Sequence, residues 1–274
     1  MTEHRLIRPG DESYPAGLFD LERPPTLHVL GETTTAPAVA VVGTRKCTRY
    51  GTTLAEAFGR ALAGAGWTTV SGLARGIDAA AHRGTLEAHG EAVAILGSGI
   101  DVIYPAEHKE LYHRILDGNG AVMSEYPPGT PPDRWRFPAR NRLIAAIASA
   151  VVVVEAGQKG GALITARLAA ELGRPVFAVP GDVDRPASRG CNLLIRDGAF
   201  PVLGVDDLIT ELELVLGRPP RTQARVRSEI PVTGAAIDDL PAIWNCTPAQ
   251  ALARLARMEI AGEIRRFGDV VIPI

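Results

Sequence analysis

Residues 39–51 read VAVVGTRKCTRYG: an apolar run, one glycine, then the opening of a helix. A nucleotide-binding α/β unit starts this way, because the turn leaves backbone N–H groups at the helix start free to meet a phosphate. A dinucleotide site would carry two further glycines in the spacing G-x-G-x-x-G. This turn carries Arg45, Lys46 and Arg49 instead.

Working outward, the alternation that begins at Val39 continues to about residue 216. The runs VAVVG, TTVSG, AVAILG, AVMSE, AVVVVEA and PVFAVP mostly lack polar alternation, the mark of strands covered on both faces of a parallel sheet. Between them lie helical stretches such as YGTTLAEAFGRALAGAG, GIDAAAHRGTLEAHG and GALITARLAAELGRP, the last closed by Gly173 and Pro175. The repeated order strand, helix, strand predicts an extended Rossmann-like, doubly wound, mostly parallel sheet over 39–216. Residues 1–38 hold scattered prolines and read as a strap leading into the sheet. Residues 217–231, GRPPRTQARVRSEIP, have the composition of a linker. Residues 232–274 predict a helix, a second helix with Thr247 as N-cap and Pro248 at its first position, and a hairpin turning at Gly268-Asp269. That order points to a small C-terminal winged-helix-like domain.

Composition narrows the function. Of 274 residues 46% are hydrophobic, enough for a packed core. Lys and Arg number 29 against 31 Asp and Glu, a net charge of −2, so any electrostatic site must be local. The three cysteines, Cys47, Cys191 and Cys246, have neither disulfide-framework nor zinc spacing, which fits a reducing cytoplasm, and no metal or cofactor is expected. The longest apolar run, LIAAIASAVVVV, is too short for a membrane span, and the charged N-terminus lacks the apolar core of a signal peptide.

Five turns on one sheet edge are rich in Gly, Ser and basic residues: GTRK with Gly43, Thr44, Arg45 and Lys46; SGLARGID with Ser71 and Gly72; LGSGIDVIYP; GQKGGALIT; and PGDVDRPASRGCN. Together they predict an anion-binding crevice. No P-loop signature occurs, so free nucleotides lack their usual cradle. Arg45 and Lys46 read either as phosphate ligands or as a solvated turn. In DRWRFPARNRLIAAIASA, residues 133–150, Arg134, Arg136, Arg140 and Arg142 surround Trp135 and Phe137. Cations interleaved with aromatics suit single-stranded nucleic acid, whose phosphates pair with arginine and whose bases stack on rings. The plainer reading has the two aromatics plugging the sheet edge while the arginines pair with acids. Asp78 and His82 share a helix face but have no third partner at ligand spacing, and no Ser, His and Asp constellation can be placed, so no catalytic residue is expected. Glu125 and Glu155 each end a strand, where a buried acid binds backbone amides or an arginine.

Four long motifs then carry a resemblance: VAVVGTRKCTRYG, TVSGLARGIDAAAHRGTLEAHGEAVAILGSGIDVIYPAEHKEL, SEYPPGTPPDRWRFPARNRLIAAIAS and GGALITARLAAELGRPVFAVPGDVDRPASRGCNLLIRDGA. Over about residues 12–216 the chain resembles the DNA-processing protein A family, also called DprA or Smf. The resemblance implies a non-enzymatic, cytoplasmic binder of single-stranded DNA that protects incoming strands in natural transformation and recombination. It further implies loading of the RecA recombinase and a homodimer formed through the Rossmann-like domain. Carried onto this sequence, the G-[ST]-R turn is Gly43-Thr44-Arg45. Arg134, or Arg136 two positions on, matches the basic residue ahead of the R-N-R motif, with Phe137 as its aromatic. Arg140, Asn141 and Arg142 are the motif itself, and Ser188, Gly190 and Asn192 match an S-x-G-x-N turn. Where the family has S-G-S-L-I-T, this chain has Gly160 to Thr165 without the two serines. The rival reading is a nucleoside-monophosphate phosphoribohydrolase-like enzyme on a related fold, whose G-G-x-G-T-x-x-E acid is replaced here by Leu168. A third is a winged-helix transcription factor with a ligand-sensing sheet domain. A polymer's phosphates need charge and a helix start but no enclosed pyrophosphate, which is what the turn at 43–46 offers.

Overall fold

The lead-in is part of the sheet and not a strap. In the computed structural model, which describes residues 4–32, 37–118, 120–219, 234–244, 246–260 and 264–273, β1 (Arg5–Ile7) and β2 (Leu27–Gly31) pair antiparallel. Leu27 and Val29 are buried while His28 and Leu30 are partly exposed, the alternation of a strand with one wet face. β2 in turn pairs antiparallel with the strand at 121–124.

The six apolar runs form β3 (Ala38–Val42), β4 (Thr68–Ser71), β5 (Ala92–Ile95), β6 (Ala121–Ser124), β7 (Ala150–Val153) and β8 (Val176–Ala178), and Phe200–Pro201 adds a short β9. From β6 through to β9 every pairing is parallel. The order in the sheet is β1-β2-β6-β5-β4-β3-β7-β8-β9. Crossovers are made by α1 (Arg49–Gly64), α2 (Ile77–Glu87), α3 (Lys109–Asp117), α4 (Arg136–Ile147), α5 (Gly161–Glu171) and α6 (Arg189–Arg196), and α7 (Val205–Leu216) follows β9.

Alternation along β3 shows why helices are needed on both faces. Ala38, Ala40 and Val42 join a core with α4 and α5, whereas Val39 and Val41 join another with Phe58 and Leu62 of α1 and Leu208 and Leu212 of α7. Each such valine or leucine contributes about 1.5–3 kcal/mol by leaving water. Helices α1 and α2 approach unusually closely because Gly59 and Gly84 face the opposing backbone. A Cβ on Gly84 would overlap the Glu56 carbonyl, and one on Gly59 the Ala81 carbonyl. Gly84→Ala is therefore expected to destabilise the protein by about 1–3 kcal/mol through overpacking, although alanine is the better helix former. A urea midpoint equal to that of the unmodified protein would show that the two helices can slide apart.

The chain divides into two compact units, Met1–Pro220 and Arg221–Ile274. The second holds β10 (Ala235–Ala236), α8 (Leu240–Ile243), α9 (Pro248–Ile260) and the hairpin β11 (Ile264–Phe267) and β12 (Val270–Pro273), in the sheet order β10-β12-β11. Its helix starts where the sequence signals put it: Gln250 N–H donates to Thr247 Oγ1 at 3.4 Å, and Thr247 N–H donates to Gln250 Oε1 at 3.0 Å. Leu240, Trp244, Leu255, Ile264 and Val271 form its core. Most of the segment read as a linker, 220–231, lies outside the described residues. Among the described residues no helix is long and apolar enough to cross a membrane.

Candidate nucleic-acid interface

The strand order reverses at β3. From there the chain winds outward through β4, β5 and β6, while β7, β8 and β9 lie on the other side. At such a switch point the turns leaving adjacent strands diverge and open a crevice at their carboxyl ends. The turn after β3 and the turn after β7 do so here, and α4 brings a third wall. The resulting cleft encloses about 920 Å³.

The turn after β3 is tightly held. A Cβ on Gly43 would overlap Ile77 of α2, the Thr44 N–H donates to the Glu155 carbonyl at 2.7 Å, and the Lys46 N–H donates to Thr44 Oγ1 at 3.2 Å. Thr48 caps α1, its Oγ1 accepting from the Gly51 N–H at 3.1 Å. The buried Glu155 carboxylate accepts from the Thr48 N–H at 2.8 Å and from Thr48 Oγ1 at 2.5 Å. The positive end of α1 is thus already met by an internal acid, and the turn's offering to a ligand is the exposed Arg45. Its guanidinium lies over the Phe137 ring, 5.0 Å from the centroid, and Phe137 in turn packs against Tyr104 at 5.3 Å. The gap that Arg45, Tyr104 and Phe137 help to line holds only about 10 Å³, too little for a base. Lys46 is exposed but does not line the cleft.

The two competing arginines of the 134–136 segment separate cleanly. Arg134 is exposed and lines the cleft. Arg136 lies over the rings of Tyr126 and Trp135, at 5.2 and 5.1 Å, and donates to the Pro131 carbonyl.

Other residues expected at the interface sit beneath it. Arg140 is 3% exposed and donates to the carbonyls of Gly72, at 3.0 Å, and Ile95, so it ties the ends of β4 and β5 together. A Cβ on Gly72 would press on that guanidinium, and the Gly72 N–H donates to Asp78 Oδ2 at 3.1 Å. Ser71 is fully buried and donates to the Val41 carbonyl at 2.7 Å, which removes its hydroxyl from any ligand. Asn141 donates to the Gly161 carbonyl at 3.1 Å and so fixes the start of α5, and Arg142 is paired with Glu125. Asn192 both donates to the Gly181 carbonyl, at 2.9 Å, and accepts from the Gly181 N–H, at 3.1 Å. Gly190 packs under Ala156 and Gly157, donating its N–H to the Ala156 carbonyl at 2.7 Å, and Ser188 lies against Gly181. Gly190 therefore buttresses the post-β7 turn from behind, while Ser188 and Asn192 hold the turn after β8.

Two cations that sequence reasoning did not single out complete the cleft: Lys159 in the post-β7 turn and Arg167 on α5. Gly161, Ile164 and Arg167 recur every three residues, which puts them on one helix face, and all three line the cleft. Among the described residues none of Arg45, Arg134, Lys159 and Arg167 forms an ion pair, whereas Arg60, Arg75, Arg83, Arg142 and Arg174 each have a carboxylate. A chain of net charge −2 thus keeps four unneutralised cations around one open groove.

The family described as DNA recombination-mediator protein A matches residues 5–213, which covers β1 through α7 and every wall of this cleft. The chain belongs to that family. A DprA protein of Mycobacterium tuberculosis is 42% identical over 94% of this chain and 74% of its own. The X-ray structure of DNA processing protein A from Streptococcus pneumoniae aligns with a TM-score of 0.72 at 39% identity, covering 76% of this chain and 74% of that one. A solved structure of DNA processing protein A from Helicobacter pylori, described for its single-stranded DNA binding mode, aligns with a TM-score of 0.69 at 28% identity, over 78% and 99%.

In this chain the floor of the cleft is electrostatically costly. Burial pushes the Asp78 carboxyl above its ordinary range, with the Arg140 charge opposing that rise, and burial pushes the Arg140 guanidinium down to about 10. His82, on α2, is fully buried, and neither ring nitrogen has a hydrogen-bond partner among the described residues. Burial, then the nearby His108, Arg140 and Arg83, hold its pKa down at about 3, so it is neutral at physiological pH.

Proposed function

We propose that this protein binds single-stranded DNA along the switch-point cleft without acting on it chemically. The observation that carries the reading is the set of four unpaired cations, Arg45, Arg134, Lys159 and Arg167, converging with Phe137 on one open groove. Cations answer the phosphates, and the Phe137 ring offers a base a stacking face once Arg45, which lies over it, turns to a phosphate; charge with a sequence-blind ring is what a sequence-tolerant single-strand site requires. The Helicobacter pylori relative, whose structure is described for its single-stranded DNA binding mode, supports the same ligand. Protection of incoming strands, delivery to the RecA recombinase, a homodimer through the first unit and a cytoplasmic setting complete the proposal, with family membership as their support; a winged-helix-like second unit belongs to it on its own order of helix, helix and hairpin.

The test is fluorescence anisotropy with labelled oligo-dT across a salt series. Arg45→Ala with Arg134→Ala should weaken binding about tenfold or more per arginine. The log-log salt slope should flatten by roughly 1.4, since each phosphate contact on a single strand contributes about 0.7. Unchanged affinity and slope would remove both residues from the site, and turnover of AMP or CMP would favour a hydrolase.

A further inference from the structure

The cleft does not use an exposed aromatic beside it. Trp135 is 58% exposed, whereas Trp67 is 2% and Trp244 8% exposed. It does not plug the sheet edge, the role that the plainer sequence reading gives it. Arg136 lies on the indole at 5.1 Å, and Tyr126 abuts it edge-on at 6.3 Å. Arg136 is itself anchored by donation to the Pro131 carbonyl. An exposed indole held from beneath by a cation and from the side by a ring has little freedom left to lose on binding, which favours stacking.

Its placement specifies the occupant. Trp135 is the N-cap residue of α4, and Phe137 lies two positions on. Residues two apart on a helix start do not share a face. Phe137 is accordingly in the cleft wall against Tyr104, and Trp135 lies outside that lining against Tyr126, with its chain neighbour Arg134 exposed and lining the cleft. We infer that Trp135 is a second base-stacking platform, outside the cleft, for a nucleotide of the same strand after it crosses the rim at Arg134. This inference rests on the proposed single-strand site and extends its footprint.

Intrinsic tryptophan emission tests it directly, because the other two indoles are buried. Oligo-dT of about 12 nucleotides should change the emission and one of about 4 should not, lengths within the range of single-strand sites. Trp135→Phe should abolish the change while holding affinity within a few fold, since a phenyl ring still stacks. Trp135→Ala should lower affinity for the 12-mer by roughly 5- to 150-fold, the range that one stacked base supplies, and leave the 4-mer unaffected. If the 12-mer binds by anisotropy yet Trp135→Ala matches the unmodified protein, the platform is refuted while the cleft stands, whatever the emission does. If no oligo-dT binds by anisotropy, the cleft reading fails and the platform with it.

Discussion

Arg140→Met is expected to lower the unfolding free energy by about 3–5 kcal/mol in urea titration, the usual loss when one member of a buried charge pair is removed. The reason lies in what the guanidinium does beneath the cleft. It donates to the Gly72 and Ile95 carbonyls, and its charge faces the buried Asp78, whose carboxylate takes the Gly72 N–H. Methionine fills much of the space but leaves two carbonyls without this donor and the Asp78 carboxylate without its counter-charge. With the cation gone, the Asp78 pKa rises further above its unfolded value. A carboxyl raised in this way stabilises the fold in its protonated form and loses that contribution as pH rises through the folded pKa. The variant should therefore recover part of its deficit as pH falls toward the carboxylate range. Arg134→Met, from the same run of arginines but exposed at the rim, should stay within about 0.5 kcal/mol of the unmodified protein. An Arg140→Met protein of undiminished stability that binds oligo-dT poorly would mean that Arg140 meets the ligand and is not part of the floor.

His82→Leu should act in the opposite direction. At pH 7 the imidazole is neutral and buried with neither nitrogen partnered among the described residues. Removing an unsatisfied buried polar group relieves about 1–3 kcal/mol. The acid limb adds to this. The unfolded chain protonates His82 near 6.5, whereas the folded state does so only near 3. Stability from this group is therefore complete above about 6.5 and drains away as pH falls through that window, by about 1.4 kcal/mol per unit once titration is under way. Between pH 7.5 and 5.0 the unmodified protein should lose about 2 kcal/mol more than the leucine variant. Parallel pH profiles for the two proteins would show that His82 is solvated or partnered, and that the acid sensitivity lies elsewhere.

Six of the seven strands in the parallel part of the sheet were legible because a strand buried on both faces leaves an unbroken apolar run, as AVVVVEA does at β7, whereas β9 is two exposed residues. β1 and β2 were missed because three and five residues among prolines give little periodicity, though the alternation at Leu27 and Val29 was there to be read. The candidate site was only half legible. Charge in a sequence does not say which arginines keep their water: Arg134 does, Arg136 is roofed by rings, and Arg140 is buried. A hint existed, since Arg140 stands three and four residues before the buried Leu143 and Ile144 and so belongs to the inward face of α4. Lys159 and Arg167 could not be ranked without the strand order, which alone sets β7 beside β3 and brings their turns to one crevice.

The two outermost strands bear on how copies of this molecule can meet. β1 spans three residues, and its Arg5 side chain reaches back to the Gly31 carbonyl; β9 spans two, one of them Pro201, which has no N–H to give. Short, charged or proline-bearing borders are poor templates for a neighbouring strand. Growth of the nine-stranded sheet from one molecule into the next is disfavoured at both ends. Contact between copies is thereby steered to side-chain surfaces, where specificity can be written residue by residue, and away from main-chain pairing, which accepts almost any sequence and leads to fibres.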